Sequence, residues 1–467
     1  MTTIVGPRFG KRHIQVALMF CLLSIAFAMR MQLSEAMVAM TSRKNPVSPN
    51  PDVKLFDWDN QSVLLSTFWW GYPWLQILAA NLGRVYGTKY FLIGAMVVNS
   101  TFCCLVPFFT IKWDSTGLIV IRILQGLSQG FFYPSCNNLL SVWSPVSERA
   151  TLGNIVYSGA FFGTIITMPL VSLFSTTWYG WPLSFYVYGV VGYLWAIAFY
   201  FFGASFPSSH RHITVEEKEY IEKNLDSSKE KMNIPWLEIL KNRPFWAVFV
   251  VQVGQFFCNL ILMLETPLYL FKVMNFDIEW NGILSAAPNV ASFLFMIIFG
   301  TIGDYLINKD IFKIQFSRKF FTTIGSLVPA TSLLILAFSP KEAKVLSVFM
   351  LILAAGSASA CGSGAVVNHI DLSPNFAGVL LGIINTSGTF VSITGPLAVQ
   401  VIVTDETDKD QWKIIFCIAA AVYVMPWVIY TIFASAEVQK FDGSPSENII
   451  ERKERLKKHS VISIMSM

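Results

Sequence analysis

Two arginines lie within long apolar stretches of the sequence, where a permanent charge is costly. Arg30 falls in the first stretch, and Arg122 falls in the segment 121–130, inside the apolar run 118–143. A charge inside a bilayer costs on the order of 3 kcal/mol or more, so it normally faces a cavity and serves a function. No obvious acid in these stretches accompanies each arginine, and a guanidinium fork matches the two oxygens of a carboxylate or phosphate. The pair therefore predicts an anion-binding site.

Three polar residues are candidates for the same cavity. Gln129 lies seven residues after Arg122, about two helical turns further along the same face. Tyr72 follows a polar loop, and Asn385 belongs to a polar patch in a later apolar stretch. The alternative for Tyr72 is packing at the membrane interface, and the alternative for Asn385 is a hydrogen bond to a neighbouring helix.

Two acidic residues in apolar stretches are candidates for coupling or gating. Glu35 follows Arg30 by five residues, about 140° around a helix, and either couples ion movement or neutralises a neighbour. Glu265 precedes Pro267, which interrupts a helix and frees carbonyl groups. These groups could coordinate a cation such as Na⁺, which is the one candidate for a bound ion, but a gating or structural role fits Glu265 equally well.

Charged residues also cluster at the ends of apolar stretches. They are predicted to form charge pairs that stabilise one state of a gate and not to bind substrate. The residues concerned are Arg84, Glu148, Arg149 and Asp304.

Composition indicates a membrane protein with many spans. The chain has 467 residues, of which 54% are hydrophobic and 13% charged, and its mean hydropathy is +0.54. A soluble domain carries about 25% charged residues. The basic residues are scattered over short loops, which excludes a nucleic-acid partner. The seven cysteines lie in apolar stretches without metal-ligand spacing, so we expect them to be packing residues and expect no metal site. We also expect no catalytic site, no other cofactor and a monomer in the bilayer.

Twelve apolar runs are long enough to cross a bilayer. They predict an all-α membrane protein with twelve transmembrane helices in two pseudo-symmetric six-helix bundles. The predicted spans are 14–41, 62–83, 89–111, 115–143, 149–175, 181–205, 244–271, 281–304, 319–339, 343–367, 376–403 and 411–435. The predicted domains are a cytoplasmic N-terminus (1–13), an N-terminal bundle (14–205), a cytoplasmic central loop (206–243), a C-terminal bundle (244–435) and a cytoplasmic tail (436–467).

An internal repeat relates the two predicted bundles. The segments 144–159 and 373–388 share Ser-Pro, Leu-Gly and Ser-Gly pairs at identical spacing. Parallel six-helix repeats with a substrate site between them are typical of transporters.

In the central loop, Thr214 and Glu217 have the spacing of a capping box, which predicts a surface helix over 215–225.

The distribution of Lys and Arg predicts the orientation. Most of the 34 cations fall in segments on the side of both termini and the central loop, which places these segments in the cytoplasm. Asn60 then lies in an outer loop as part of an Asn-Gln-Ser acceptor for N-glycosylation, which is either used or silent. We expect the plasma membrane as the location.

The sequence resembles the major facilitator superfamily, and within it the anion branch with sodium-dependent phosphate cotransporters, sialin and vesicular glutamate transporters. The pattern is most similar to the inorganic phosphate cotransporters. The matching positions are 10–13 (GKRH), Arg30, Leu33, Ser34, 68–72 (FWWGY), 122–130, Pro134, 143–145 (WSP), Glu148, Arg149, 265–267 (ETP), Asn281, Gly282, Pro288, Asn368, His369, Asp371, Pro374 and 433–435 (FAS).

This resemblance implies that Arg30 and Arg122 bind an anionic substrate. It implies secondary active transport of inorganic phosphate or small organic anions by alternating access, driven by sodium or voltage. The chain departs from the family at Gln129, where proton-coupled members carry glutamate, at Leu65, where vesicular glutamate transporters carry histidine, and at Glu35, where an apolar residue is usual.

Two alternatives remain open at this point. One is proton-coupled export of acidic sugars or carboxylates, as in sialin, although Gln129 cannot titrate. The other, more remote, is a membrane-embedded enzyme. Such enzymes usually need histidine, aspartate or metal ligands within the membrane, and all five histidines fall in loops, tails or at span ends.

Overall fold

Helices and the turns between them make up the part of the chain that the computed structural model describes. That part comprises residues 10–41, 47–76, 79, 87–145, 148–210, 212–223 and 234–442, except for the side chains of residues 149 and 150. No strand occurs in it, which agrees with the predicted all-α fold. Its helices are α1 (Lys11–Thr41), α2 (Gln61–Gly71), α3 (Lys89–Gln129), α4 (Phe132–Trp143), α5 (Arg149–Ser175), α6 (Pro182–Phe202), α7 (Val215–Lys223), α8 (Trp236–Lys241), α9 (Arg243–Lys272), α10 (Ile278–Asn308), α11 (Ile314–Phe338), α12 (Lys344–Ala358), α13 (Ala365–Leu372), α14 (Ala377–Ile402) and α15 (Lys409–Phe433).

Ten stretches of the described chain are long and apolar enough to cross a membrane. One of them, Lys89–Trp143, contains both the third and the fourth predicted spans. Within it α3 is broken at Trp113 and Asp114, whose backbone angles are not helical, as expected for the boundary between two spans. The predicted second span begins with α2, and residues 77, 78 and 80–83 of its remainder lie outside the described residues. Eleven of the twelve predicted spans are thus covered by these ten stretches.

The predicted span 343–367 is covered by the stretch Lys344–Leu372, but its helix is interrupted. Helix α12 ends at Ala358, a turn of 3₁₀ helix covers Ser359–Gly362, and α13 then extends to Leu372. The glycines and serines between positions 356 and 364 favour the break, because these two residue types hold helical geometry weakly.

The chain divides into two compact units, the first with residues 10–58 and 67–223 and the second with residues 59–66 and 234–442 of the described chain. In the first unit α1 packs on α5, and α3 packs on α6. Helix α2 approaches α3 closely at Gly126, where an added Cβ would lie 2.0 Å from the carbonyl oxygen of Phe68. Only glycine allows this contact, which brings the aromatic residues of α2 next to the polar residues of α3.

In the second unit α9 packs against α14 and α15, and α11 packs against α12 and α15. The side chain of Tyr269 joins α9 to α15 through edge contacts with Trp412 (5.3 Å between ring centroids) and Phe416 (5.1 Å). All three rings are buried, so this cluster fixes the two helices at one end.

Large apolar side chains cover the outward surfaces of both units. Leu194 and Phe201 on α6 are 60% and 71% exposed, and Val401 on α14 is 77% exposed. Apolar side chains exposed to this extent along helices are typical of a protein surface in contact with the hydrocarbon core of a bilayer. The chain is a multi-pass membrane protein.

The predicted surface helix of the central loop is present as α7, Val215–Lys223. Its backbone N–H at Glu217 donates to Oγ1 of Thr214 at 3.3 Å, as the capping box requires. The other half of the box is replaced, because the Glu217 carboxylate accepts hydrogen bonds from the backbone N–H groups of Lys11 (2.9 Å) and Arg12 (3.0 Å). Glu217 therefore caps the first turn of α1, and not its own helix.

The repeated Ser-Pro pairs play the same structural part in both units. The N–H of Ser144 donates to the carbonyl of Leu140 at 3.0 Å, and the N–H of Ser373 donates to that of His369 at 3.2 Å. Each serine completes the last turn of a helix, and the proline that follows prevents its continuation.

Candidate functional site

Arg122 lies on α3 against α1 and is 1% exposed. Its Nη1 donates to the carbonyl of Met29 at 3.1 Å and to Oε1 of Gln125 at 3.0 Å, and its Nη2 donates to the carbonyl of Arg30 at 2.8 Å. The guanidinium fork thus binds two backbone carbonyls of α1 in this conformation. Arg122 fixes the segment of α1 that carries Arg30.

Arg30 is 3% exposed and is surrounded by aromatic rings. Its guanidinium carbon lies 4.4 Å from the ring centroid of Phe27, 4.5 Å from that of Tyr72, and 4.9 Å from those of Phe68 and Trp69. We call these four residues the aromatic cage. Each ring face carries partial negative charge and attracts the cation.

Gln129 supplies the polar contact of Arg30. Its Oε1 accepts from Nη2 of Arg30 at 3.2 Å and from Nε at 3.4 Å, and its Nε2 donates to the carbonyl of Ala26 at 3.1 Å. The structure therefore places Gln129, predicted to lie on the Arg122 face of its helix, beside Arg30. Within the described residues, neither Arg30 nor Arg122 forms an ion pair with a carboxylate.

Sequence reasoning named Arg30, Arg122, Gln129 and Tyr72, and the structure brings these four together. It passed over Phe27 as a neighbour of the charge, although the spacing of three residues places it on the Arg30 face of α1. It also passed over Gln125, which lies three residues after Arg122 and accepts from it for the same reason.

Two other candidates lie elsewhere. Glu35 is fully buried in α1, five residues beyond Arg30. Asn385 is half-buried on α14 in the second unit, and its backbone carbonyl accepts from Oγ1 of Thr389 at 2.8 Å.

Glu148 forms a charge pair, as predicted, and the partner is Arg12. Nε and Nη2 of Arg12 donate to the two oxygens of Glu148 at 2.8 and 3.2 Å. The hydroxyl of Tyr220 on α7 donates to Glu148 at 3.0 Å, and Nη1 of Arg12 lies 3.5 Å from Glu217. Arg149 begins α5, but its side chain lies outside the described residues, as does the whole of Arg84.

The corresponding pair in the second unit involves residues that sequence reasoning did not assign to a gate. Asp304 is exposed on α10. Nε of Arg318 donates to Oδ2 of Asp371 at 2.7 Å, and its Nη1 donates to the carbonyl of Ser363 at 2.8 Å. This pair joins α11 to α13 at the break after α12.

Glu265 lies on α9, two residues before Pro267, and is 2% exposed. Neither of its carboxylate oxygens has a hydrogen-bond partner among the described residues. Further along α9, Nζ of Lys272 lies 3.3 Å from Oε2 of Glu406 in the loop between α14 and α15. Burial raises the pKa of Glu406 above the ordinary value for glutamate, and Lys272 opposes this shift.

Asn60, the predicted glycosylation residue, precedes α2 and is half-buried. Its backbone carbonyl accepts from the N–H of Leu64 at 3.1 Å, so the residue closes the first turn of the helix.

Comparison with known proteins places this geometry in a family. The family model of the Major Facilitator Superfamily matches residues 17–396. "Putative inorganic phosphate cotransporter" of Drosophila melanogaster is 34% identical and aligns over 93% of this chain and 87% of its own. Sialin of Ovis aries is 31% identical (89% and 88%), and vesicular glutamate transporter 3 of Danio rerio is 34% identical (95% and 76%).

A solved structure shares the fold. The crystal structure of a D-xylose-proton symporter superposes with a TM-score of 0.70 at 13% identity and covers 92% of this chain and 99% of its own. At an identity this low, the similarity shows a shared fold and does not indicate the substrate. The predicted fold class and the family resemblance are both confirmed. The chain belongs to the major facilitator superfamily and, within it, to the transporter family of the inorganic phosphate cotransporters, sialin and the vesicular glutamate transporters.

Proposed function

We propose that this transporter moves small anions by alternating access, and that Arg30 binds their negative group. The observation that carries the proposal is the state of Arg30: within the described residues, its buried guanidinium has an amide oxygen and four rings as neighbours but no carboxylate in an ion pair. A buried charge without a counter-ion attracts one. The names of the relatives support an anion, since phosphate and glutamate are both anions.

The aromatic cage favours organic anions over inorganic phosphate. Phosphate is small and strongly hydrated, so a site for it needs many hydrogen-bond donors to replace its water. The cage instead presents ring faces, which suit a carboxylate attached to a planar or apolar body. Arg122 would act by holding Arg30 in place, because its own fork is occupied by carbonyls of Met29 and Arg30.

The driving force follows from Gln129. Its amide does not exchange a proton at physiological pH, so the arginine site keeps its positive charge when empty. An entering anion then moves charge through the membrane field, worth about 2.3 kcal/mol per charge per 100 mV. Voltage, or co-transported Na⁺, is the driving force that we propose.

We further propose a plasma-membrane monomer with both termini in the cytoplasm and Asn60 on the outer side. The excess of Lys and Arg in the segments next to the termini supports this orientation. Epitope tags at each terminus, probed in intact and permeabilised cells, test it. Staining of a C-terminal tag in intact cells would reverse the orientation.

Transport into proteoliposomes tests the substrate class. Purified protein is reconstituted into proteoliposomes that are loaded with an unlabelled anion. Exchange of this anion for labelled phosphate and for labelled aliphatic and aromatic carboxylates is then measured. We expect exchange with organic anions, and its loss in Arg30→Lys, because lysine lacks the planar fork. Arg243→Lys, at an exposed position, is the matched control.

Two results would contradict the proposal. Exchange of no anion by the wild type would remove the transport function itself. Normal exchange by Arg30→Lys would remove Arg30 as the binding group. Uptake driven by a proton gradient alone would favour the sialin-like alternative.

A further inference from the structure

A second buried charge lies in the second unit, outside the arginine site. Glu265 on α9 is 2% exposed, and its two carboxylate oxygens accept no hydrogen bond from the described residues. An ionised carboxylate inside a membrane helix without a donor or a cation is prohibitively costly. The carboxyl group is therefore either protonated or neutralised by a cation that the side chains of the described residues do not supply.

Among the described residues, the neighbours of Glu265 supply oxygen atoms and negative charge, and no free cation. The hydroxyl of Ser62 lies beside the carboxylate without the geometry of a hydrogen bond, and Glu406 acts on it electrostatically from the loop after α14. Lys272, two turns further along α9, is already paired with Glu406 at 3.3 Å. No Lys or Arg of the described chain forms an ion pair with Glu265.

Ser62 is held at this place by contacts within the second unit. The N–H of Val63 donates to Oε1 of Gln400 at 3.4 Å, and Nε2 of Gln400 donates to the carbonyl of Asp59. Ser62 itself is 5% exposed. The start of α2 therefore covers the Glu265 carboxylate and keeps it from water.

We propose that Glu265 is a binding site for a small monovalent cation, Na⁺ as in the proposed function or a proton as in its sialin-like alternative, and that this cation is the one coupled to anion transport. The coupling, though not the binding, rests on the proposed function. The site can accept and release the cation only when Ser62 and the start of α2 move away, since they cover it here. Gln129 cannot take this role because it does not titrate.

Chemical labelling of the wild-type protein tests the binding. A hydrophobic carbodiimide reacts with a protonated carboxyl group in apolar surroundings, and mass spectrometry locates the adduct. We expect Glu265 to be labelled in acidic, sodium-free buffer and labelling to fall in alkaline buffer. Protection by Na⁺ at constant pH would identify sodium as the ion, and its absence would identify the proton.

Two labelling results would overturn the proposal. One is the absence of an adduct at Glu265 in acidic, sodium-free buffer. The other is labelling that responds to neither pH nor Na⁺, which would show a permanently protonated structural acid. Because this experiment uses the wild type, it decides the question even where a variant fails to fold.

Transport by Glu265→Gln tests the coupling, with Glu279→Gln on the exposed first turn of α10 as the matched control. We expect Glu265→Gln to lose the acceleration of uptake by a proton or sodium gradient and to retain anion exchange without a gradient. Full acceleration in this variant would overturn the coupling role. Failure of the wild type to exchange any anion would instead reject the proposed function and leave the labelling result standing.

Discussion

Oε1 of Gln129 accepts two hydrogen bonds from one guanidinium, from Nη2 of Arg30 at 3.2 Å and from Nε at 3.4 Å. The amide oxygen satisfies two donors without cancelling their charge, since it carries no net charge itself. Arg30 therefore remains a net cation in the resting site.

Replacement of Gln129 by glutamate should make transport depend on pH. A carboxylate at this position would pair with Arg30 and compete with the anion, and protonation would release the arginine. We expect uptake by Gln129→Glu to fall at neutral pH and to recover as the pH is lowered, whereas wild-type uptake changes less. Initial uptake rates across a pH series measure this. Equal pH profiles for the two proteins would show that residue 129 does not control the charge of Arg30.

The aromatic cage gives a second prediction, because a cation–π contact needs the ring and not the hydroxyl. Tyr72→Phe keeps the ring and should retain both thermal stability and transport. Tyr72→Leu removes one face of the cage and should lower stability by about 0.5–2 kcal/mol and reduce transport. Thermal unfolding in detergent and exchange in proteoliposomes measure the two effects. Equal behaviour of both variants would mean that packing volume alone matters there.

Arg122→Lys tests whether the contact between the Arg122 guanidinium and the backbone of α1 has a structural role. The substitution keeps the charge but cannot reproduce the planar pattern of donors that reaches Met29, Arg30 and Gln125. Loss of a buried hydrogen bond costs about 1–3 kcal/mol, so we expect a clearly lower Tm together with reduced transport. Loss of transport with an unchanged Tm would instead indicate that Arg122 contacts the substrate directly.

The cap on α1 gives a fourth prediction. Glu217→Ala removes the carboxylate that accepts from the N–H groups of Lys11 and Arg12, and a lost cap costs about 1 kcal/mol. Glu216→Ala, exposed on the same helix, is the control and should change little. Tm values of the two variants are the measurement. Equal Tm values would show that the cap does not contribute to stability.

The pair of Lys272 and Glu406 gives a prediction about pH. Burial raises the pKa of Glu406 in the folded protein above its ordinary value of 4.5, so the folded state holds this proton more tightly than the unfolded state. The stabilisation from this group is complete below that ordinary value and is lost as the pH rises through the raised pKa. The Tm of the wild type relative to Glu406→Gln should therefore fall as the pH rises from about 4.5. A difference that grows with pH would contradict this sign.

Local sequence signals predicted the helices well and their long-range contacts poorly. Apolar length located the spans, and Thr214 with Glu217 predicted α7 within two residues at its end. The contact of Arg12 with Glu148 joins residues 136 positions apart, and no spacing rule reveals it. The same holds for the cage, since Phe27 lies on α1 and Tyr72 follows the end of α2. Charge and hydropathy mark which residues need partners, whereas tertiary packing selects the partners.

The cap on α1 also bears on the order in which the protein can be made. Lys11 lies at the start of the first span, and its capping group, Glu217, is 206 residues later in the chain. A Cβ at Gly10 would lie 2.2 Å from Oε1 of Glu217, so a larger residue there would displace the capping carboxylate. A ribosome must therefore complete all the helices from α1 to α7 before the beginning of the first helix receives its final hydrogen bonds. During synthesis the N–H groups of Lys11 and Arg12 lack these acceptors until α7 has been made. Their hydrogen bonds to Glu217 therefore form only after the first half of the chain is complete.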